Sequence, residues 1–118
     1  NIINMSYYDD PQELFIAVDA MINDYSSTMW DFSLTNKPCF IYANDLNKYN
    51  LDLGFYTKPN EWPFPLATNN DELVKNINNF NFDIYRENLN HYFKWMESYE
   101  TGKATKQLIN FILEKVKK

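Results

Sequence analysis

The residues best suited to chemistry in this chain are gathered in "INDYSSTMWDF", Ile22 to Phe32. Asp24 is followed by Tyr25 and two serines, Ser26 and Ser27, with Thr28 adjacent. A stretch that reads as a helix then carries a second carboxylate, Asp31. The start of a helix has several backbone N–H groups without partners, and its dipole favours negative charge. Paired serines there add hydroxyl donors and small side chains, so a pyrophosphate can approach closely. Asp31 lies more than a turn down the same helix, where a carboxylate can accept hydrogen bonds from a ribose diol. Asp24, at the end of a short apolar run, falls where ligands bind in parallel sheets, at the carboxyl edge. A plainer account fits the same residues: Ser26 or Ser27 as an N-cap and Asp31 as a solvated helix residue. The tetrapeptide leaves both open.

Other candidates carry less. His91 is the single histidine, in "NLNHYF" on a helix far from the serine pair, and reads as structural or surface. "GKAT" lacks the first glycine and the Ser/Thr of a phosphate-binding P-loop: Glu97 and Ala104 stand at those places. Tyr92, Phe93, Trp95 and Tyr99 suit a sugar platform, but at helical spacing they read better as core. Asp45 and Asp52 have nothing to position them as a catalytic pair, and Asp9 and Asp10 read as turn and cap. "GFY", at Gly54, Phe55 and Tyr56, is the one loop element that reads as a ligand contact. Lys115, Lys117 and Lys118 read as a solvated helix end, the alternative being contact with an anionic membrane. Cys39 in "KPCFIY" is the only cysteine, which excludes an internal disulfide and a cysteine zinc site. It reads as a buried small hydrophobe on a strand. No metal motif is visible.

Composition limits the classes. The 118 residues suffice for one small domain, and 45% hydrophobic with 18% aromatic content supplies a core. A formal net charge of −5 without a basic stripe argues against nucleic acid as a partner. No run of about 18 apolar residues is present to span a membrane. The chain opens without Met on "NIINMS", as expected of a piece of something longer.

The elements that must position the serine pair follow from pattern. "NIINMS" reads as a strand. Asp10 caps a helix with Pro11 at its first position and Leu14, Phe15 and Val18 on its apolar face. "AMIN" reads as a buried strand, residues 26–35 as a helix, and "KPCFIYAND" as a third strand. Strand, helix, strand, helix, strand at this spacing predicts a parallel sheet with right-handed crossovers. Residues 45–66, with Gly54 and three prolines, read as a long irregular connection, a kind of loop that is usually functional. Three helices should follow. The first has Thr68 and Asp71 at capping-box spacing. The second has a stripe at Tyr85, Leu89, Tyr92/Phe93 and Met96. The third follows Gly102 with Leu108, Phe111, Ile112 and Val116 on one face.

The ordered set "NDYSSTMWDF", "KPCFIYANDLNKY", "GFY", a proline-containing stretch, "DELVKNI" and a late "GKAT" resembles the C-terminal part of the CDP-glycerol glycerophosphotransferase family of teichoic-acid and capsule polymerases. The resemblance covers nearly the whole chain. It implies an α/β fold, the second half of a Rossmann-like nucleotide-binding domain of a GT-B enzyme, with a short parallel sheet, flanking helices and C-terminal helices over residues 1–118. It implies transfer of glycerol phosphate from CDP-glycerol to an acceptor hydroxyl, with release of CMP. By the same resemblance Ser26, Ser27 and Thr28 meet the donor pyrophosphate, Asp31 meets the ribose, and Asp24 organises the turn. The family's catalytic histidine lies upstream of these residues, and the fragment alone is expected to be inactive. No cofactor is implied beyond the substrate. The implied partners are a nucleotide-activated donor and a polymer or lipid-linked acceptor. The implied location is the inner face of the cell membrane, peripheral through the rest of the protein, with an oligomer as a further expectation. Asn23 stands where the family usually carries Thr, which is expected to remove a hydroxyl near the site. "TKPNEWPFP" is less acidic than the family's version, leaving ribitol phosphate or a sugar phosphate as the alternative transferred group. The remaining rivals are a GT-B glycosyltransferase using a nucleotide-sugar and a non-catalytic scaffold.

Overall fold

The computed structural model describes residues 1–116. Its sheet has three parallel strands in the order β1-β2-β3: β1 at Met21–Asn23, β2 at Cys39–Tyr42 and β3 at Leu66–Ala67. Met21 pairs with Cys39, and Ile41 with Leu66. The α/β class and parallel arrangement agree with the sequence reading, but the membership of the sheet differs. "NIINMS" forms no strand. Ile2 and Ile3 are exposed, and β1 is an outer strand whose free edge is unpaired among the described residues. The third strand comes instead from the end of the stretch read as irregular, running one residue past it. It is two residues long and preceded by Pro63 and Pro65, so it has no periodicity to detect.

Helix α1, Pro11–Ala17, starts as its sequence dictates: Asp10 Oδ1 accepts from Gln12 N–H at 2.8 Å and Pro11 occupies the first position. Helix α2, Thr28–Ser33, is shorter than the expected span of residues 26–35 because the serine pair is taken up by the turn before it. Helix α3, Leu46–Asp52, also lies inside the stretch read as irregular, and a 3-10 turn follows at Pro59–Glu61. Helix α4, Asn70–Asn78, is capped one residue later than expected. Asn69 Oδ1 accepts from Glu72 N–H at 3.0 Å, and the Glu72 carboxylate accepts from Thr68 N–H at 2.8 Å and from the Thr68 hydroxyl at 3.0 Å. Those bonds, the backbone one foremost, hold the Glu72 carboxyl below the usual carboxylate range. Thr68 and Asp71 are therefore not the capping pair.

Helix α5, Phe82–Trp95, buries Tyr85, Leu89 and Tyr92, as its stripe predicts, and Phe93 is half-buried. Met96 lies past the helix end and is exposed. Helix α6, Ala104–Val116, follows Gly102, but Leu108, Phe111, Ile112 and Val116 are all exposed. Lys117 and Lys118 lie outside the described residues.

The core gathers between the sheet, α2 and α5: Met29, Phe32, Cys39, Ile41, Phe64, Tyr85 and Leu89. Phe15 of α1 meets Phe32 edge-on at 5.7 Å. Lys37 closes this layer. Its ammonium donates to the carbonyls of Phe15, Ile16 and Val18 at 3.1, 2.6 and 2.7 Å, capping the negative end of α1. Its own carbonyl accepts from the Tyr85 hydroxyl at 3.1 Å. Burial pushes the Tyr85 phenol above its ordinary pKa, with nearby Cys39 adding to the rise, so it remains a donor. Cys39 itself is buried, and burial pushes its thiol up to about 12.

Two measurements check this account. Lys37→Met removes the charge and all three bonds to α1, and should destabilise the protein by about 2 kcal/mol in urea denaturation, on the scale of hydrogen bonds to charged groups. An ordinary thiol, with a pKa of about 8.5, is partly ionised at pH 8 and alkylates readily. The raised value keeps Cys39 protonated there, so iodoacetamide should label it slowly in the native protein and fast in urea.

Candidate functional site

The site is built at the carboxyl ends of β1 and β2. The chain leaves β1 at Asn23 and turns through residues 24–27 into α2. Asp24 Oδ1 accepts from Ser26 N–H at 3.1 Å, and Asn23 Nδ2 donates to the Ser26 carbonyl at 2.7 Å. The Ser26 hydroxyl accepts from Thr28 N–H at 3.4 Å and from the Thr28 hydroxyl at 3.0 Å. Asp24, Ser26 and Thr28 thus spend these groups on the turn itself. Asn23, expected to remove a useful hydroxyl, instead uses its amide to fasten the turn. Ser27 occupies the N-cap position but makes no side-chain capping bond. The two serines are therefore not equivalent: one is structural, and the other presents a hydroxyl with no partner among the described residues.

A cavity of about 680 Å³ opens beside Ser27. The structure brings Gly54, Phe55 and Tyr56 onto its wall together with Ser27. It does not bring Asp24, Ser26, Thr28 or Asp31 there; Asp31 is exposed on α2. His91 is also exposed and stands off this cavity. Of the four aromatics weighed on α5 and beyond it, Tyr92 and Phe93 line the wall, whereas Trp95 and Tyr99 are exposed elsewhere.

The rest of the wall was not singled out from sequence. Trp30 stacks on Tyr92 at 5.0 Å and 11°, and meets Phe64 at 5.0 Å and Trp62 edge-on at 6.0 Å. Tyr25 lies 4.0 Å from Tyr49 and 5.4 Å from Phe55. The Trp62 indole donates to the Thr57 hydroxyl at 2.8 Å, which is 3.3 Å from the Tyr92 hydroxyl. Ring contacts of this kind each add about 1 kcal/mol beyond buried area. Part of their signal was present in the aromatics of residues 45–66, namely Tyr49, Phe55, Tyr56, Trp62 and Phe64, whereas Tyr25, Trp30 and Tyr92 come from outside that stretch.

Among the described residues, no ionisable side chain except tyrosine lines the cavity. Its chemistry is π-faces, two thioethers and a few hydroxyls, which suits a neutral or planar group. A charged group would have to stay at the Ser27 mouth. No cluster of His, Cys, Asp or Glu suited to a metal occurs among the described residues. Tyr25 holds the mouth in place: its hydroxyl donates to Asp45 Oδ1 at 2.7 Å, linking the turn after β1 to the start of α3. Burial, then the bond to Asp45, raises the Tyr25 phenol well above its ordinary range, so it keeps its proton.

A short parallel sheet flanked by helices, with a polar strand-to-helix turn and a cavity at its carboxyl edge, is the architecture of a fragment of a Rossmann-like α/β fold. The sequence profile of the family described as CDP-Glycerol:Poly(glycerophosphate) glycerophosphotransferase matches residues 1–114, and the chain belongs to that family. It is 34% identical, over 98% of its length, to 16% of a teichoic acid poly(glycerol phosphate) polymerase of Staphylococcus epidermidis. It is 31% identical, over 94% of its length, to 30% of a teichoic acid glycerol-phosphate transferase of Staphylococcus aureus. A teichoic acid poly(ribitol-phosphate) polymerase of Bacillus spizizenii is 26% identical over 93% of this chain and 18% of its own length. The chain thus spans less than a third of these relatives. No solved structure matches it.

Tyr25→Phe deletes only the bond to Asp45. It should cost about 1 kcal/mol and make the 45–57 segment more susceptible to limited proteolysis, while leaving the ring packing intact. Unchanged cleavage in that segment would remove Tyr25 as the link between the two loops.

Proposed function

We propose that residues 1–118 form the closing part of the nucleotide-binding domain of a longer transferase. That enzyme moves glycerol phosphate from CDP-glycerol to a hydroxyl of a teichoic-acid or capsule polymer. The family match over residues 1–114 carries this reading. The acceptor oxygen forms a bond to the donor's β-phosphorus, the bond from that phosphorus to the bridging oxygen breaks, and CMP leaves with the bridge. For such a displacement, positioning and charge neutralisation supply most of the rate.

In this reading the donor pyrophosphate lies at the mouth by Ser27, whose hydroxyl is uncommitted, with Ser26, Thr28 and Asp24 holding the turn rigid. Asp31 faces the ribose from outside the cavity. Gly54, Phe55 and Tyr56 contact the donor or the acceptor along the cavity wall. The catalytic base comes from outside these residues, and the donor is the only activated group required. The partners are the nucleotide-activated donor and a polymer or lipid-linked acceptor. The enzyme works at the inner face of the cell membrane, held there by the rest of the protein. No helix among the described residues is long and apolar enough to cross a membrane. A second reading, transfer of ribitol phosphate, is favoured by the relative named for poly(ribitol-phosphate).

Calorimetric titration of the full-length protein with CDP-glycerol, CDP-ribitol, CDP and UDP tests the reading. Cytidine-selective binding is expected, with the tighter of the two polyol donors naming the transferred unit. Ser27→Leu should weaken donor binding at least tenfold without lowering the melting temperature. Preference for UDP would move the function to sugar transfer, no binding would favour a scaffold, and wild-type affinity in Ser27→Leu would end the phosphate assignment.

A further inference from the structure

A second concavity, of about 320 Å³, lies at the opposite end of β3 from the serine turn, between the Pro63–Pro65 segment, the end of α4 and the start of α5. That volume is within the range of small-ligand pockets. Four asparagines line it: Asn76, Asn79, Asn81 and Asn88. Three are fixed by the backbone through one end of the amide only. Asn76 Nδ2 donates to the Leu66 carbonyl at 3.0 Å, and Asn79 Nδ2 donates to the Lys75 carbonyl at 2.8 Å. Asn81 Oδ1 accepts from Asp83 N–H at 3.0 Å and Ile84 N–H at 3.1 Å, capping α5. The carbonyl oxygens of Asn76 and Asn79 and the amide nitrogen of Asn81 have no partner among the described residues and sit on oriented side chains. Asn88 is exposed and makes no side-chain hydrogen bond among the described residues. The groove therefore offers acceptors and donors together, against the apolar surfaces of Pro63, Pro65 and Phe80.

We propose that this groove binds a neutral polyol or sugar. A hydroxyl both donates and accepts, so adjacent hydroxyls can engage free carbonyl and NH₂ ends at once. The C–H faces of the same molecule can pack on proline and phenylalanine. Among the described residues an anion finds no cationic side chain on this wall, and tyrosine is the only ionisable one. Trp62 lines both this groove and the aromatic cavity, so a chain lying here would run up to the wall of the first site. The groove is independent of the donor assignment, because it shares none of Ser26, Ser27 or Asp31.

Saturation-transfer NMR on the full-length protein tests it, with ribitol and N-acetylglucosamine as neutral probes and glycerol 3-phosphate as the anionic one. Signals from at least one neutral probe are expected, persisting when CDP-glycerol is added in excess and exceeding those from glycerol 3-phosphate. Asn88→Leu, at an exposed position with no bond to lose, should reduce them at least fivefold; adding Asn79→Leu should reduce them further. Loss of the signals on adding CDP-glycerol would assign the probes to the Ser27 cavity and overturn the proposal. So would unchanged signals in Asn88→Leu, equal signals from glycerol 3-phosphate, or no signal from either neutral probe.

Discussion

The fold turns on two consecutive residues, Lys37 and Pro38, where α2 passes into β2. The Lys37 ammonium gathers the last carbonyls of α1, its own carbonyl receives the Tyr85 hydroxyl from α5, and the Pro38 carbonyl accepts from Met21 N–H at 2.9 Å to begin the pairing of β1 with β2. Two helices, the outer strand β1 and the central strand β2 are thus referred to the same short segment. A half-buried ammonium with three carbonyl partners is well compensated for its lost water, whereas a helix end left without a cap would not be. The position of the serine turn follows, because β1 can deliver it to the sheet edge only if β1 is itself registered on β2.

Upon that frame the site is walled by rings rather than by charge. The sheet is short and contributes few side chains, so the volume above it is filled by aromatics from α2, α3, α5 and the 54–62 segment. Rings pack with preferred geometries, which gives a loop with little regular structure a defined shape. The prolines around Trp62 and Phe64 reduce the freedom of that loop before it folds. The cavity is shaped by segments far apart in sequence, with Tyr25 and Tyr92 on the same wall.

That separation also explains what could be read in advance. The caps at Asp10, the stripe on α5 and the strand at Cys39–Tyr42 were legible because each depends on neighbours a few residues away. Family membership was legible because its motifs keep their order along the chain. The third strand was not, since two residues carry no period and only the partner strand defines them. The first apolar run was misread for the converse reason: it has the composition of a strand but pairs with none of the three strands. Within the serine turn, residue types suggested a pair of equivalent hydroxyls. Only the hydrogen bonds separate Ser26, tied to Thr28, from Ser27, which is free.

The placement of the indoles has an optical consequence. Of the three tryptophans, Trp30 and Trp62 stand edge to face in the cavity wall, while Trp95 is exposed. Two of the protein's strongest near-ultraviolet chromophores are therefore held in a fixed mutual orientation by the same packing that shapes the site. Their ellipticity and emission would register any rearrangement of that wall directly, while the exposed third indole touches the wall only through Tyr92, at 5.4 Å. The protein carries its own spectroscopic label at the place where its state matters most.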